Sequence, residues 1–170
     1  MTTTNYLLIA EDGERKLIEQ HFPHLLHHNE WKVIVTGVGA LNVFRSLRNI
    51  DTDALIFNVG YAGSADFAIG SAVVVNEVKL HHPNVTYNEP QLLIANAEIK
   101  TELAKSGVQP IEALCYSSCD FVLQSPYTGC VFDMELAYIA AMGFTNLQSL
   151  KIVSDNLSLH DYHAFGSGVQ

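Results

Sequence analysis

The sequence is poor in charge and poorest in positive charge. Charged residues make up 16% of the 170, with 9 Lys plus Arg against 18 Asp plus Glu, for a formal net charge of −9. A surface that wraps a phosphate backbone needs the opposite balance, so nucleic acid is excluded as a partner, and an anionic membrane with it. Long apolar runs are missing as well. Stretches such as 72–75 fall far short of the roughly 20 residues that span a bilayer. Residues 1–5 are polar, with neither the basic start nor the apolar core of a secretory signal, so a cytoplasmic location is expected. Only three cysteines occur, Cys115, Cys119 and Cys130, which cannot all pair and are not spaced as a zinc site. Buried free thiols in a reducing compartment are the expectation. Two nucleotide signatures are also absent. Asn42 stands where the dinucleotide fingerprint of residues 37–42 needs its last glycine, and no Gly-Lys-Ser/Thr triplet occurs.

What is present points to one layered α/β domain over residues 1–170. The hydrophobic fraction of 48% and a mean hydropathy of +0.15 exclude disorder, and the length suits a single core. Short β-branched runs predict strands at 6–10, 31–36, 54–58, 71–79, 111–116 and 150–153. Helical patterns fall at 11–22, 40–48, 91–106 and 133–142, while the tail from 160 carries no strong element. Three strand ends run into small or polar residues, at 37–39, 58–64 and 154–155. Ligands of open α/β sheets bind beyond such carboxyl ends, although strand-to-helix turns use glycine for their own reasons. His21, His24, His27 and His28 straddle Pro23 with scattered spacing, which reads as a surface or interface cluster rather than a metal site.

Four short motifs, in order, carry a resemblance. Val35-Thr36-Gly37-Val38-Gly39, Asn58-Val59-Gly60-Tyr61-Ala62-Gly63, Phe132-Asp133-Met134-Glu135 and Ile152-Val153-Ser154-Asp155 resemble the purine nucleoside phosphorylase and methylthioadenosine/adenosylhomocysteine nucleosidase superfamily over nearly the whole chain. The resemblance implies a three-layer α-β-α domain around a central, mixed, partly closed sheet. It also implies no metal or organic cofactor, a small-molecule purine nucleoside as ligand, and a homodimer or larger homo-oligomer.

Site roles follow from the same resemblance. Met134 and Glu135, placed in the first turn of a helix, would hold the ribose. Asp155 would protonate the departing purine with Ser154 positioning it, because a purine anion leaves badly unless a proton is supplied. Phe121 would stack on the base beside Val122, and Tyr61, Ala62 and Gly63 would line the site. Glu14 aligns with the glutamate that activates water in the nucleosidases, where phosphorylases place an arginine for phosphate. Hydrolysis is therefore the leading expectation. Phosphate-dependent cleavage and a catalytically silent nucleoside-binding homologue stand as the alternatives. Each residue also has a plain structural reading: Glu14 as a helix-face acid, Glu135 as an acidic N-terminal turn, Ser154-Asp155 as a cap, and Phe121 as core. Tyr61, in place of a small hydroxyl residue, would fill or reshape the sugar site. The chain is also short of the usual C-terminal helix.

Overall fold

The computed structural model describes residues 3–82 and 91–166. Its frame is set by strands whose apolar residues are buried on both faces, the pattern of a sheet covered by helices above and below. β1 (Asn5–Ile9) pairs in parallel with β2 (Trp31–Val35) at the edge and with β3 (Leu55–Gly63) inside. β8 (Asn146–Asp155), nine of whose ten residues are buried, lies parallel to β3 and antiparallel to β4 (Ala72–Leu80). β4 pairs in parallel with β6 (Ile111–Ser117) and, antiparallel, with the two-residue β5 (Leu92–Leu93). β6 in turn runs parallel to β7 (Cys130–Asp133). A single antiparallel bridge, Gly63 to Phe132, joins β7 back to β3 and closes β3, β8, β4, β6 and β7 into a ring.

Helices cover both faces. α1 (Arg15–His21) and α3 (Ala97–Lys105) bury Leu17, Ile18, Ile99 and Leu103 against Phe57, Val59, Leu150 and Ile152. On the other face α2 (Ala40–Leu47) and α4 (Leu136–Ala141) bury Val43, Leu47, Leu136 and Ile139 against Ile56, Val73, Val75 and Val131. Successive strand residues point to opposite faces, which is why Phe57 and Val59 join one core and Ile56 the other. This is the expected three-layer α-β-α arrangement around a mixed, partly closed sheet.

Several elements differ from their sequence expectation. β3 does not stop at Asn58 but runs through Gly60 to Gly63. The expected helix at 91–106 begins only at Ala97, because Leu92 and Leu93 pair with β4. Residues 130–133 form β7, so Asp133 ends a strand instead of starting a helix. The tail forms α5 (Leu159–Gly166), which packs against β8, and residues 167–170 lie outside the described set. Cys115 and Cys130 are buried free thiols, whereas Cys119 is an exposed one. The histidine group does not act as a unit: His21 is buried, and His24 pairs with Glu102. Among the described residues no cluster of three His, Cys, Asp or Glu is placed to hold a metal, and no helix is long and apolar enough to cross a membrane.

Candidate active site

β3 and β8 run in parallel register from Leu55 opposite Asn146 to Ala62 opposite Val153, then slip so that Gly63 faces Asp155. That irregularity lies in the wall of a solvent-open cleft. Its walls come from the carboxyl ends of β1, β3, β7 and β8, the turns after β1, β2 and β7, the segment after β6 and the α5 cover: Ala10, Glu11, Glu14, Val38, Tyr61 to Gly63, Phe121, Phe132 to Glu135, Ser154, Asp155 and Tyr162. Of the residues singled out from sequence, all but Val122 line this cleft. Val122 lines an adjoining hollow with Asp120, Phe121, Met134 and Asp155.

Glu14 reaches the cleft from a 3-10 turn, Asp12–Glu14, that follows β1. Its Oε2 accepts the N–H of Ala10 at 2.8 Å and of Glu11 at 3.2 Å, and its Oε1 accepts the Tyr61 N–H at 2.9 Å. Gly60 makes the approach feasible, since a Cβ there would lie 2.9 Å from Oε1. Burial pushes the Glu14 carboxyl above its ordinary range, opposed by these three N–H groups and by the Lys151 ammonium.

Asp155 ends β8 and is buried. Its Oδ2 accepts the Ser154 hydroxyl at 2.7 Å and its Oδ1 the Leu157 N–H at 3.0 Å. Leu157 adopts φ +62°, a left-handed conformation uncommon for a branched residue, and it aims that N–H back at the carboxylate. A Cβ on Gly63 would lie 2.8 Å from Oδ1. Burial raises the Asp155 carboxyl as well. Ser154, Leu157 and Ser158 oppose the rise, and the Asp161 charge adds to it.

Met134 and Glu135 lie in the turn between β7 and α4, with Glu135 capping α4 instead of sitting in its first turn. The Glu135 carboxylate accepts the Met134 N–H at 2.8 Å. The first N–H groups of α4 are not free for a ligand: Leu136 donates to Asp133 and Ala137 to Ser117. Burial, joined by the Asp133 charge, lifts the Glu135 carboxyl to about 8.

Tyr61 lines the cleft. The ring belongs to the α1/α3 face, edge-on to Phe165 at 5.4 Å and Tyr162 at 6.4 Å, with the Lys16 ammonium 5.6 Å above it. Phe121 meets Tyr162 edge-on at 5.5 Å, so α5 forms a cover between the two.

Sequence reasoning missed Tyr162, which sits on a helix it did not expect, and also the buried pair of Lys151 and Asp133. For Lys151 a signal existed: a lone lysine inside the apolar run 150–153 needs a buried partner. Arg15, Arg45 and Arg48 do not line the cleft. Among the described residues lining the cleft there is no arginine or lysine.

No family model matches the sequence, and no curated protein matches it in sequence. Solved structures match the fold. Futalosine hydrolase of Helicobacter pylori superposes with a TM-score of 0.76 at 16% identity, covering 99% of this chain and 93% of that one. The chain has the nucleoside phosphorylase-like fold. A 5′-methylthioadenosine/S-adenosylhomocysteine nucleosidase from H. pylori, solved in complex with a substituted pyrrolidin-3-ol, gives a TM-score of 0.75 at 16% identity over 99% and 93% of the two chains. The corresponding nucleosidase of Chlamydia trachomatis gives 0.70 at 17% identity over 99% and 89%. In this fold the carboxyl ends of β3 and β8 and the turn before α4 meet at one cleft.

Proposed function

We propose that the chain is a purine nucleosidase, cleaving the N-ribosidic bond of a purine nucleoside, 5′-substituted or not, by hydrolysis. One observation carries this reading: two buried carboxyls, Glu14 and Asp155, meet one cleft, each packed against a glycine of β3 that leaves it room. That is a base and an acid on a single site.

Glu14 is the base. Oε1 accepts only the Tyr61 N–H, so it keeps a lone pair for a water, while Oε2 is fully engaged. Asp155 is the acid. It delivers a proton to the purine nitrogen, and the Ser154 hydroxyl and Leu157 N–H orient the carboxyl. Proton delivery lowers the barrier because it turns a poor purine anion into a neutral leaving group. Glu135 and Met134 take the ribose hydroxyls, Phe121 gives the base a face, and Val122, Tyr61, Ala62 and Gly63 complete the walls. Positive charge on the sugar in the transition state is balanced by the acid-rich cleft. The same acidity, with no lining cation, disfavours phosphate as the nucleophile.

The solved neighbours are nucleosidases and a hydrolase, one of them holding 5′-methylthioadenosine in its active site, which supports a nucleoside in this cleft. Further proposals accompany the reading. The whole chain acts as one domain without a cofactor, and its free thiols suit the cytoplasm. It assembles as a homodimer or larger homo-oligomer through the exposed Val38, Leu41 and Phe44. Light scattering reads the mass directly. The activity is tested by incubating methylthioadenosine, adenosylhomocysteine, adenosine and inosine with and without phosphate. Free base in phosphate-free buffer is expected. Release only with phosphate makes the protein a phosphorylase, and no release from any substrate makes it a silent homologue.

A further inference from the structure

The cleft has a charged floor as well as charged walls. Lys151 sits in the middle of β8, 2% exposed between Leu150 and Ile152, and its ammonium meets Asp133 Oδ2 at 2.8 Å. On one side it lies in register with Gly60, the residue whose missing Cβ makes room for Glu14 Oε1. On the other side, Asp133 ends β7 two residues before Glu135. The same Asp133 Oδ2 accepts the Leu136 N–H at 2.9 Å, and Oδ1 accepts the Ser117 hydroxyl. Ser117 Oγ accepts the Ala137 N–H at 2.8 Å. One ammonium therefore fixes a carboxylate, and that carboxylate fixes the start of α4 and the turn carrying Met134 and Glu135.

We propose that Lys151 is the counter-charge of the cleft: a positioning residue that holds Asp133 against the start of α4 and lets Glu14 and Glu135 lie together in one buried site. Lys151 lines no part of the cleft, so it acts through its neighbours. The Asp133 and Glu14 charges both push up the buried Glu135 carboxyl, as like charges in a dry region drive a neighbour toward the neutral acid. The groups facing Lys151 are Asp133 of β7, Cys115 of β6, Glu135 before α4 and Glu14 of the first turn. Those facing Glu135 include Asp133, Lys151 and Glu14, with Tyr138 of α4 and Tyr162 of α5 nearby. Burial works against an ammonium at this position, and Asp133, by charge and hydrogen bond, together with Cys115 and Glu135 outweighs it, holding Lys151 protonated. Asp133 is held below the usual carboxylate range because Lys151 and its hydrogen bonds outweigh its own burial.

The inference rests on reading Glu14 and Glu135 as carboxyls of the site, and its test does not need turnover. Protein labelled with carboxyl-13C glutamate is titrated by NMR, the two resonances being assigned by their loss in Glu14→Gln and Glu135→Gln. Lys151→Met is expected to move both midpoints upward by about one pH unit or more, as loss of a near opposite charge does. Asp133→Asn is expected to move the Glu135 midpoint downward, and the double variant to return it toward the parent. If Lys151→Met fails to fold, the downward shift in Asp133→Asn and its reversal in the double variant decide the matter alone. Midpoints that stay in place, or that move the same way in both single variants, overturn the inference. Opposite shifts in a protein that cleaves no nucleoside leave the inference standing and refute the nucleosidase reading. Cleavage with unmoved midpoints does the reverse.

Discussion

Glu14 and Asp155 are held in two cradles of the same cleft, alike in outline and different in chemistry. Each is buried, each is pushed up by burial, and each presses on a glycine of β3, Gly60 for one and Gly63 for the other. The Glu14 cradle consists of main-chain donors: three N–H groups on two oxygens, with a lysine charge adding to their effect. N–H groups can only donate, so this cradle suits an anion. Around Asp155 the partners are the Leu157 and Ser158 N–H groups and one hydroxyl, and the nearby charge is another acid, Asp161. A hydroxyl accepts as readily as it donates, so this cradle tolerates a protonated carboxyl. The contrast supports the proposed roles of Glu14 as base and Asp155 as acid.

The contrast is broken most severely by neutralising each carboxyl in turn. Asp155→Asn is expected to lower kcat by roughly 10²–10⁴-fold with an unchanged melting temperature, because the Ser154 hydroxyl can turn to accept the new amide N–H. Glu14→Gln is expected to lose activity on a similar scale but also to lose about 1–3 kcal/mol of stability, since its amide must set a donor against a main-chain donor. Equal melting temperatures for the two variants would remove the distinction between the cradles. Activity measured beside thermal unfolding gives both quantities.

Adding a methyl at either glycine is a milder probe. Gly60→Ala is expected to displace Glu14, and Gly63→Ala to displace Asp155, each costing about 1–3 kcal/mol by overpacking and lowering kcat more than it raises KM. An active Gly63→Ala enzyme would show that Asp155 does not need its present place.

The remaining effect concerns stability alone. Burial and the Asp133 charge raise the folded-state Glu135 carboxyl from 4.5 to about 8. The stability it contributes is therefore fully present below about 4.5 and is lost as pH rises through about 8. Glu135→Gln keeps an acceptor for the Met134 N–H, so it is expected to match the parent at pH 5 and exceed its melting temperature at pH 9. A constant difference across that range would mean that Glu135 is not held as the neutral acid.

How much of this was legible in the sequence depends on where each signal resided. The proposed acid, Asp155, stood in a motif and the proposed base, Glu14, was found only by its place after the first strand, while the layered class showed as an alternation of β-branched runs with helical stripes. Gly60 read as a stop because glycine weakens a strand, and only the folded structure shows that it stays in β3 to clear Glu14. β7 was hidden because four residues are too few to carry a period, and they abut a helical pattern. α5 has little local pattern. It is held by Phe165 and Tyr162 against Tyr61 and by Lys16 donating to the Gly166 carbonyl, contacts from distant parts of the chain. Lys151 stood in plain view as a charge in an apolar run, but its partner lies eighteen residues earlier on a strand the sequence did not reveal.

The most direct measurement of the base and acid assignment is the pH dependence of kcat/KM for the parent and for the residual activity of Glu14→Gln and Asp155→Asn. The parent should give a bell with both limbs displaced upward from ordinary carboxyl values, as burial displaces both groups. Glu14→Gln should lose the acid limb and keep the alkaline one, and Asp155→Asn should do the opposite. Limbs lost in the reverse order, or a bell unchanged in both variants, would contradict the assignment.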